Sequence, residues 1–308
     1  MEKEYVAFVE KFREELLAVT GLDETQIYLK RKEEWSDTSD DRLFLVRETE
    51  KDTKEICALY TKELYERYRR GGSLESLIEG VLTEVEKVGR MGLAEKIRDL
   101  SDYEKIKSSL FVRLLNVEQH KGNLKNAVYY VLGDIALVLY VRMGEVDGYI
   151  SSSKIQEDLI AVWNRTQEEI FQEALLNTYY MTPPRIYSLE KLLFHPEYTG
   201  DAFMNILQKH SLHKDCMGNC LSTIQKTDGA VAIFLPGVAE RLGELLEGSF
   251  YMVFTSVHEV MIHNDTQVDP EDLRNVLRDT IKESAEPEDF LSYYIYHYNR
   301  ETKKFSCL

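Results

Sequence analysis

The chain has 308 residues, of which 44% are hydrophobic and 30% are charged, and its net charge is −16. This length and composition predict a globular protein of two or three packed units, because one minimal core does not account for so long a chain. The acidic charge disfavours nucleic-acid binding, and the longest apolar stretch, residues 135–141, is too short to cross a bilayer.

Cysteine usage and the first residues indicate the compartment. The four cysteines are spread along the chain, which is not the pattern of a disulfide framework: Cys57, Cys216, Cys220 and Cys307. The first residues, MEKEYVAFVEKFREELL, are charged and helical and lack the apolar core of a secretory signal. We therefore predict a reduced, cytoplasmic setting with no membrane attachment, and nothing in the sequence calls for a cofactor.

The first half of the chain mixes helices and strands. Apolar residues at helical spacing predict a helix over residues 2–19, and alternating residues predict strands over 26–31 and 42–47 around a polar turn at 36–41. A second helix is predicted over 53–70. The residues in helical register there are Ile56, Tyr60, Leu64 and Tyr68.

Two further helices and a strand follow in this half. Gly71-Gly72-Ser73 opens the first of these helices, and its missing Lys-Ser/Thr argues for an interhelical turn rather than a phosphate loop. Ser101 and Glu104 match a capping box at the start of the second helix. A strand is then predicted over residues 109–116.

The second half repeats a strand–strand–helix pattern. In the first copy, strands at 134–143 and 148–152 precede a helix with Ser153 and Gln156 as its capping box. In the second copy, strands at 220–225 and 230–234 flank Thr227-Asp228-Gly229, a hairpin signal.

The clearest copy covers residues 250–283 and reads FYMVFTS, EVMIHND and DPEDLRNVLRDTIKE, with Asp269 as N-cap and Pro270 at the first helical position. A last strand is predicted over residues 293–298. Tyr294, Tyr296 and Tyr298 alternate onto one of its faces, and aromatic ladders of this kind usually pack a sheet. The alternative is an exposed ladder that binds a peptide or a flat ligand.

Strands joined by short turns are antiparallel neighbours, and the helix after each pair can cover the resulting sheet. We therefore predict an α+β fold of repeated strand–strand–helix units that form mainly antiparallel sheets covered by helices. The predicted domains are an N-terminal α+β and helical domain over residues 1–125 and a C-terminal α+β domain over residues 126–308.

Several runs of residues resemble a known family. They are VRLLNVEQHKGNLKN, GDIALVLYVRM, EEIFQEALLNTYYMTPPRIY and FLPGVAERLGELLEGSFYMVFTSVHEVMIHND. The sequence is similar to an uncharacterised bacterial family catalogued only as a domain of unknown function, most strongly from Val112 onward. This resemblance implies no activity and no catalytic residue, and residues 195–217 fit its pattern less well.

His258-Glu259-Val260-Met261-Ile262-His263 resembles the zinc-protease helix motif but does not meet its requirements. That motif needs two histidines four residues apart on one helical face, and here the spacing is five in a strand-like segment. We predict one imidazole on each side of a strand pair instead.

Four residues form the one metal-like cluster in the sequence, and they are His210, His213, Cys216 and Cys220. Their ligand types suit zinc, but Gly218-Asn219 interrupts the run, and structural zinc sites usually use paired ligand knuckles. We therefore predict no metal site and keep zinc at these four residues as the alternative. The favoured interpretation is a polar loop with a half-buried cysteine.

No catalytic residue is predicted, because no nucleophile elbow, dinucleotide fingerprint or kinase signature is present. The favoured hypothesis is a non-enzymatic cytoplasmic interaction or regulatory protein with a protein partner. One alternative is an enzyme whose site is assembled from distant residues, among which His258, Glu259 and His297 stand first. Another is an acidic nucleic-acid mimic that binds a basic partner.

Overall fold

The computed structural model describes residues 2–31, 41–48, 54–90, 93–146, 149–195, 197–284 and 287–308. The chain divides into two compact units. The N-terminal unit comprises Met1–Arg98 and Met143–Ser151, and the C-terminal unit comprises Asp99–Arg142 and Ser152–Leu308. Among the described helices, none is long and apolar enough to cross a membrane.

The N-terminal unit packs helices on a small antiparallel sheet. Its elements are α1 (Glu2–Thr20), β1 (Ile27–Lys30), β2 (Arg42–Glu48), β3 (Lys54–Tyr60), α2 (Thr61–Arg69), α3 (Leu74–Arg90) and α4 (Leu93–Asp99). The sheet order is β1-β2-β3. The predicted stripe of α1 is buried at Phe8, Phe12 and Leu16, in one core with residues of β1, β2, α2 and α3. Gly21, at φ +68°, follows the end of α1 and donates its N–H to the Leu17 carbonyl.

The predicted helix over residues 53–70 is wrong in its first half. Residues from Lys54 to Tyr60 form β3, which pairs with β2 along its whole length, and the helix begins only at Thr61. The helical register was misleading, because Ile56 and Tyr60 are exposed and only Leu64 is buried. Residue 53 and residues 36–40 of the predicted turn lie outside the described residues.

The C-terminal unit contains two antiparallel sheets. Its strands are β4 (Leu110–Asn116), β5 (Tyr129–Leu132), β6 (Ile135–Val146), β7 (Tyr149–Lys154), β8 (Pro184–Tyr187), β9 (Asn219–Thr223), β10 (Phe250–Phe254), β11 (Val260–Asn264), β12 (Ile295–Asn299) and β13 (Lys304–Cys307). Of β6 and β7, residues 143–146 and 149–151 are part of the N-terminal unit. One sheet has the order β4-β6-β5, with β7 also paired to β6, and the other has the order β13-β12-β10-β11-β9-β8.

Helices accompany these sheets in the C-terminal unit. They are α5 (Tyr103–Ile106), α6 (Lys121–Leu124), α7 (Glu157–Trp163), α8 (Gln167–Met181), α9 (Leu189–Phe194), α10 (Val238–Leu246) and α11 (Pro270–Ser284), with 3-10 helices at Lys107–Ser109, Gly229–Phe234 and Pro287–Asp289. Leu273 and Leu277 of α11 pack on Val253 and Ile295 of the six-stranded sheet. The predicted α+β class, with antiparallel sheets and accompanying helices, is confirmed.

Two capping predictions are corrected. Asp102, not Ser101, caps α5, because its carboxylate accepts the N–H of Glu104. Ser153 lies on β7 and starts no helix, and Asn164 at φ +50° ends α7 before α8 begins. The capping box of this region is Thr166 with Glu169.

The predicted strand over residues 230–234 is also wrong. Gly229–Phe234 is a 3-10 helix, so the turn at Thr227 joins β9 to a helix and not to a second strand. An apolar run of this length does not distinguish a strand from a buried helix by periodicity. The strand predicted at 293–298 is β12, and it lies between β10 and β13 rather than at the edge of the sheet.

The compact units differ from the predicted ranges in two respects. Met143–Ser151, within the predicted C-terminal range, belongs to the N-terminal unit. Residues 99–125 belong to the C-terminal unit, because β4 pairs with β6 from Leu110 to Asn116. The division at residue 125 into separate domains stays a prediction.

Candidate functional site

The three residues proposed for a distant-residue active site do not meet in one place. His258 and Glu259 lie between β10 and β11, beyond the end of β10 marked by Phe254. His297 lies on β12 opposite Tyr251, toward the other end of β10. His297 Nε2 lies 3.0 Å from Asp265 Oδ2, so this histidine belongs to a separate pair.

His258 uses both ring nitrogens within the fold. Its Nδ1 accepts the backbone N–H of Asp228 at 3.1 Å, which assigns the proton to Nε2. Nε2 lies 3.3 Å from Asp289 Oδ1. The His258 carbonyl also accepts the hydroxyl of Ser222 at 2.7 Å. With its one lone pair occupied by a backbone amide, this imidazole is placed to hold the turn and not to accept a substrate proton.

Cys220 and Glu259 come together, and their pairing suppresses thiol reactivity. Cys220 Sγ donates to Glu259 Oε2 at 3.4 Å, and Thr255 Oγ1 donates to Oε1 of the same carboxylate at 3.0 Å. Burial, followed by the Glu259 carboxylate, raises the pKa of Cys220 to about 12. Since the thiolate is the nucleophile and the metal ligand, Cys220 is unsuited to both roles at neutral pH.

This pairing predicts a large difference in alkylation between two cysteines. At pH 8 we expect iodoacetamide to modify exposed Cys216 at least about a hundredfold faster than Cys220, whose thiolate fraction is very small. Peptide mass spectrometry over a time course measures both rates. In urea the two rates should converge, and equal rates in the native protein would contradict the assignment.

The second histidine of the motif, His263, is buried on β11, whereas His258 precedes that strand. The backbone of Gly218 approaches the His263 ring so closely that a Cβ there would clash with it. Burial lowers the pKa of His263, which keeps the imidazole neutral near pH 7. The segment is not a helix, so the geometry of the zinc-protease motif is absent.

The four metal-like residues are not brought together. His213 is paired at 4.0 Å with Asp215, Cys216 is exposed, Cys220 is bound to Glu259, and His210 lines a separate cavity. Within the described ranges, no three His, Cys, Asp or Glu side chains are grouped as metal ligands.

Two other sequence features have structural roles. Tyr296 and Tyr298 are buried, as the packing interpretation of the ladder predicts, while Tyr294 precedes the strand and is half exposed. Gly71-Gly72-Ser73 joins α2 to α3, as predicted, and the Ser73 hydroxyl accepts the N–H of Ser76.

A groove lies between α1 and α3 in the N-terminal unit, and the sequence pattern does not predict it. This α1–α3 groove has a volume of about 600 Å³. Its apolar lining residues are Val19, Leu74, Ile78 and Leu82, and its charged lining residues are Lys11, Glu15, Glu75 and Glu79. The sequence feature that points to this groove is the wide apolar face of α3, because such a face can contact more than one neighbouring element.

Two features distinguish the α1–α3 groove from the core beneath it. Val19 is 61% exposed although it is a branched apolar residue at the end of the α1 stripe. The carboxylates of Glu15, Glu75 and Glu79 form no ion pair with any residue in the described part of the chain. With one lysine among these three glutamates, the rim has a net charge of −2.

The fold and the groove define an α+β protein that has an open apolar groove with an acidic rim. The chain belongs to the family of unknown function DUF5688, whose sequence model matches residues 5–300. The match includes both units and all residues of the α1–α3 groove. No curated protein and no solved structure matches the chain.

Proposed function

We propose that the protein is a non-enzymatic, cytoplasmic interaction protein that binds a basic, amphipathic segment of a partner in the α1–α3 groove. The observation that carries the proposal is the combination of an apolar floor with an acidic rim whose three glutamates form no ion pair with the described residues. Amphipathic helices bind such grooves by placing side chains at positions i, i+3 or i+4 and i+7 into the apolar part.

The apolar part of the groove supplies the driving force for this interaction. Ile78 lies at its base and is 5% exposed, while Leu74 and Leu82 are half-buried and Val19 is mostly open to solvent. A partner that covers Val19, Leu74 and Leu82 removes apolar surface from water, and this burial favours association.

The acidic rim selects the sign of the partner's charge. Glu15, Glu75 and Glu79 would face lysine or arginine side chains on the polar edges of a bound helix. Attraction between exposed charges is modest for each pair and is screened by salt. A basic segment is therefore favoured over a neutral one of equal hydrophobicity, most strongly at low ionic strength.

The hydrogen bonds that His258 and Cys220 form within the fold favour this function over the enzyme alternative. Each of these side chains pairs with a group of the fold, so neither is placed as a free base or nucleophile. The α1–α3 groove contains no histidine, cysteine or serine among its lining residues.

The test uses a synthetic helical peptide of leucines and lysines, titrated into the full chain by calorimetry. We expect saturable binding, and we expect Glu15→Lys to weaken it about fivefold or more, because the change removes an attraction and adds a repulsion. Val19→Asp should weaken it similarly by placing a charge on the apolar surface. Because the Val19 side chain is 61% exposed in the free protein, this change removes little core packing.

Glu14→Lys is the matched control. Glu14 is exposed and adjacent to Glu15 in sequence, but it lies about 100° further around α1 and does not line the groove. It should change the affinity by less than about twofold, which is the scale of non-local charge effects under moderate salt. Equal losses from Glu14→Lys and Glu15→Lys would show that the peptide binds the acidic protein non-specifically.

A further inference from the structure

A second cavity lies in the C-terminal unit, where the chain after α9 returns to β8, the edge strand of the six-stranded sheet. Ile186 of β8 and Asp201 exchange backbone hydrogen bonds of 3.2 and 2.7 Å. Gly200 at φ +86° lies so close to Arg185 and Tyr187 that a Cβ would clash with both. The returning segment is thus fixed to the strand, and a cavity of about 330 Å³ forms beside it.

The cavity has an apolar base. Phe203 is fully buried, and Ile186 and Leu212 are 7% and 8% exposed. Small-molecule sites typically combine such a base with a few polar groups that fix the orientation of the ligand, in cavities of about 300–1,000 Å³.

Four consecutive polar residues complete the lining of the cavity. Gln208, Lys209, His210 and Ser211 form no side-chain hydrogen bond or ion pair with the residues that the structure describes. His210 also lines the cavity, and its Nε2 forms no hydrogen bond with the described residues. Because Nε2 is shielded from solvent, a ligand in the cavity contacts other atoms of this ring, which makes the imidazole a reporter beside the site.

The charge of the cavity points to the class of ligand. Lys191 Nζ contacts both carboxylate oxygens of Asp201, at 3.0 and 2.9 Å, and these two charges cancel. Lys209 leaves a net charge of +1 when His210 is neutral. The four consecutive polar residues are mainly hydrogen-bond donors, since lysine only donates and serine, glutamine and one imidazole nitrogen can donate.

We propose that this cavity binds a small oxyanion beside the His210 ring, and that its carboxylate or phosphate oxygens accept hydrogen bonds from Lys209 and Ser211. This site is independent of the α1–α3 groove, because its residues belong to the C-terminal unit. A carboxylate and a phosphate offer the same acceptor chemistry, and the experiment separates them.

The experiment follows the imidazole Cε1–Hε1 signals of the full chain, labelled at its seven histidines. The His210 signal is assigned by its loss in His210→Gln. Sodium phosphate and sodium citrate are titrated in separate arms, at fixed pH and at an ionic strength held constant with sodium chloride. We expect the His210 signal to shift saturably in at least one arm, and the arm that saturates identifies the oxyanion.

Two lysine variants establish where the anion binds. Lys209→Gln should raise the apparent Kd about fivefold or more, because it removes the lysine of the cavity lining that forms no ion pair with the described residues. Lys214→Gln is the matched control, since Lys214 lies in the same segment but pairs at 2.9 Å with Glu247 outside the cavity. It should leave the Kd within about twofold.

Either of two results would overturn the proposal. The first is a His210 signal that follows the chloride reference, without saturation, up to anion concentrations on the order of 50 mM. The second is an equal loss of affinity in Lys209→Gln and Lys214→Gln, which would indicate a general charge effect.

Discussion

Replacing Asp134 with alanine is expected to lower the free energy of unfolding of the C-terminal unit by about 3 kcal/mol, because several buried donors lose their acceptor at once. The Asp134 carboxylate accepts hydrogen bonds from Ser292 Oγ at 2.6 Å, Tyr296 OH at 2.5 Å and Asn116 Nδ2 at 3.2 Å. Ser292 and Tyr296 are fully buried, and Asn116 is 2% exposed.

The Asp134 network joins the two sheets of the C-terminal unit. Asp134 lies in the turn between β5 and β6, Asn116 ends β4, and Tyr296 lies on β12 of the six-stranded sheet. Burial, followed by the hydrogen bond to Asp134, raises the pKa of Tyr296, so the phenol stays protonated and continues to donate. Asn116 still donates to the Leu291 carbonyl and accepts the N–H of Gln119, so the main loss falls on the two hydroxyls.

Urea unfolding followed by Trp163 fluorescence measures this loss. Trp163 is 6% exposed and donates to the Leu100 carbonyl at 2.7 Å, within the same unit. The second tryptophan, Trp35, lies outside the described residues and is replaced with phenylalanine in all variants. Asp279→Ala is the control, because Asp279 is exposed on α11, and its change should stay within about 0.5 kcal/mol. An equal effect at both positions would contradict the role of the network.

Gly229→Ala is expected to destabilise the same unit by about 3 kcal/mol, because the site has no room for a methyl group. Gly229 is buried at the start of the 3-10 helix Gly229–Phe234. A Cβ there would lie 2.5 Å from the His258 carbonyl oxygen and 2.9 Å from the Thr223 nitrogen, and it would overlap Ser222 Oγ. The serine can rotate away, but the two backbone atoms belong to β9 and the β10–β11 turn and cannot.

Gly243→Ala in α10 is the matched substitution for this experiment. The nearest atom to a Cβ at Gly243 is 3.4 Å away, on the flexible side chain of Arg300. Since alanine is favoured over glycine inside helices by about 0.5–1 kcal/mol, this variant should be neutral or slightly more stable. The same Trp163 measurement compares the two variants, and a Gly229→Ala protein as stable as Gly243→Ala would contradict the described packing.

The parts of the fold that follow from the sequence are those with strong local signals. The runs FYMVFTS and EVMIHND predict β10 and β11, and Asp269 as N-cap with Pro270 at the first helical position predicts α11. The structure places all three elements there, with Asp269 accepting the N–H of Glu271. Local propensity and tertiary packing agree in this region.

The errors occur where tertiary pairing decides between two local structures. Residues from Lys54 to Tyr60 are compatible with a helical stripe, but β2 offers them a complete antiparallel partner. The run Gly229–Phe234 alternates poorly and is buried almost throughout, so its sequence does not separate a 3-10 helix from a strand.

The α1–α3 groove could not be predicted because its two sides are about sixty residues apart in the chain. The sequence identifies the stripes of both helices, but only the packing of α1 beside α3 leaves Val19 open while Ile78 is covered. The cavity proposed to bind an oxyanion could not be predicted either, because it too depends on a contact between distant parts of the chain. Residues 195–217 interrupt the predicted pattern, and the contact between Asp201 and Ile186 brings the side chains of residues 208–211 to the edge strand β8.

The measurement that tests the proposed function most directly is carbodiimide cross-linking in a lysate of the protein's native cells, followed by peptide mass spectrometry. This reagent joins carboxylates to lysine amines in direct contact. We expect Glu15, Glu75 or Glu79 to cross-link to a basic segment of one partner. Glu15→Lys should reduce these products, and Glu14→Lys should not. Cross-links that are spread evenly over exposed carboxylates, such as those of Glu14 and Asp279, would contradict the groove as the binding site.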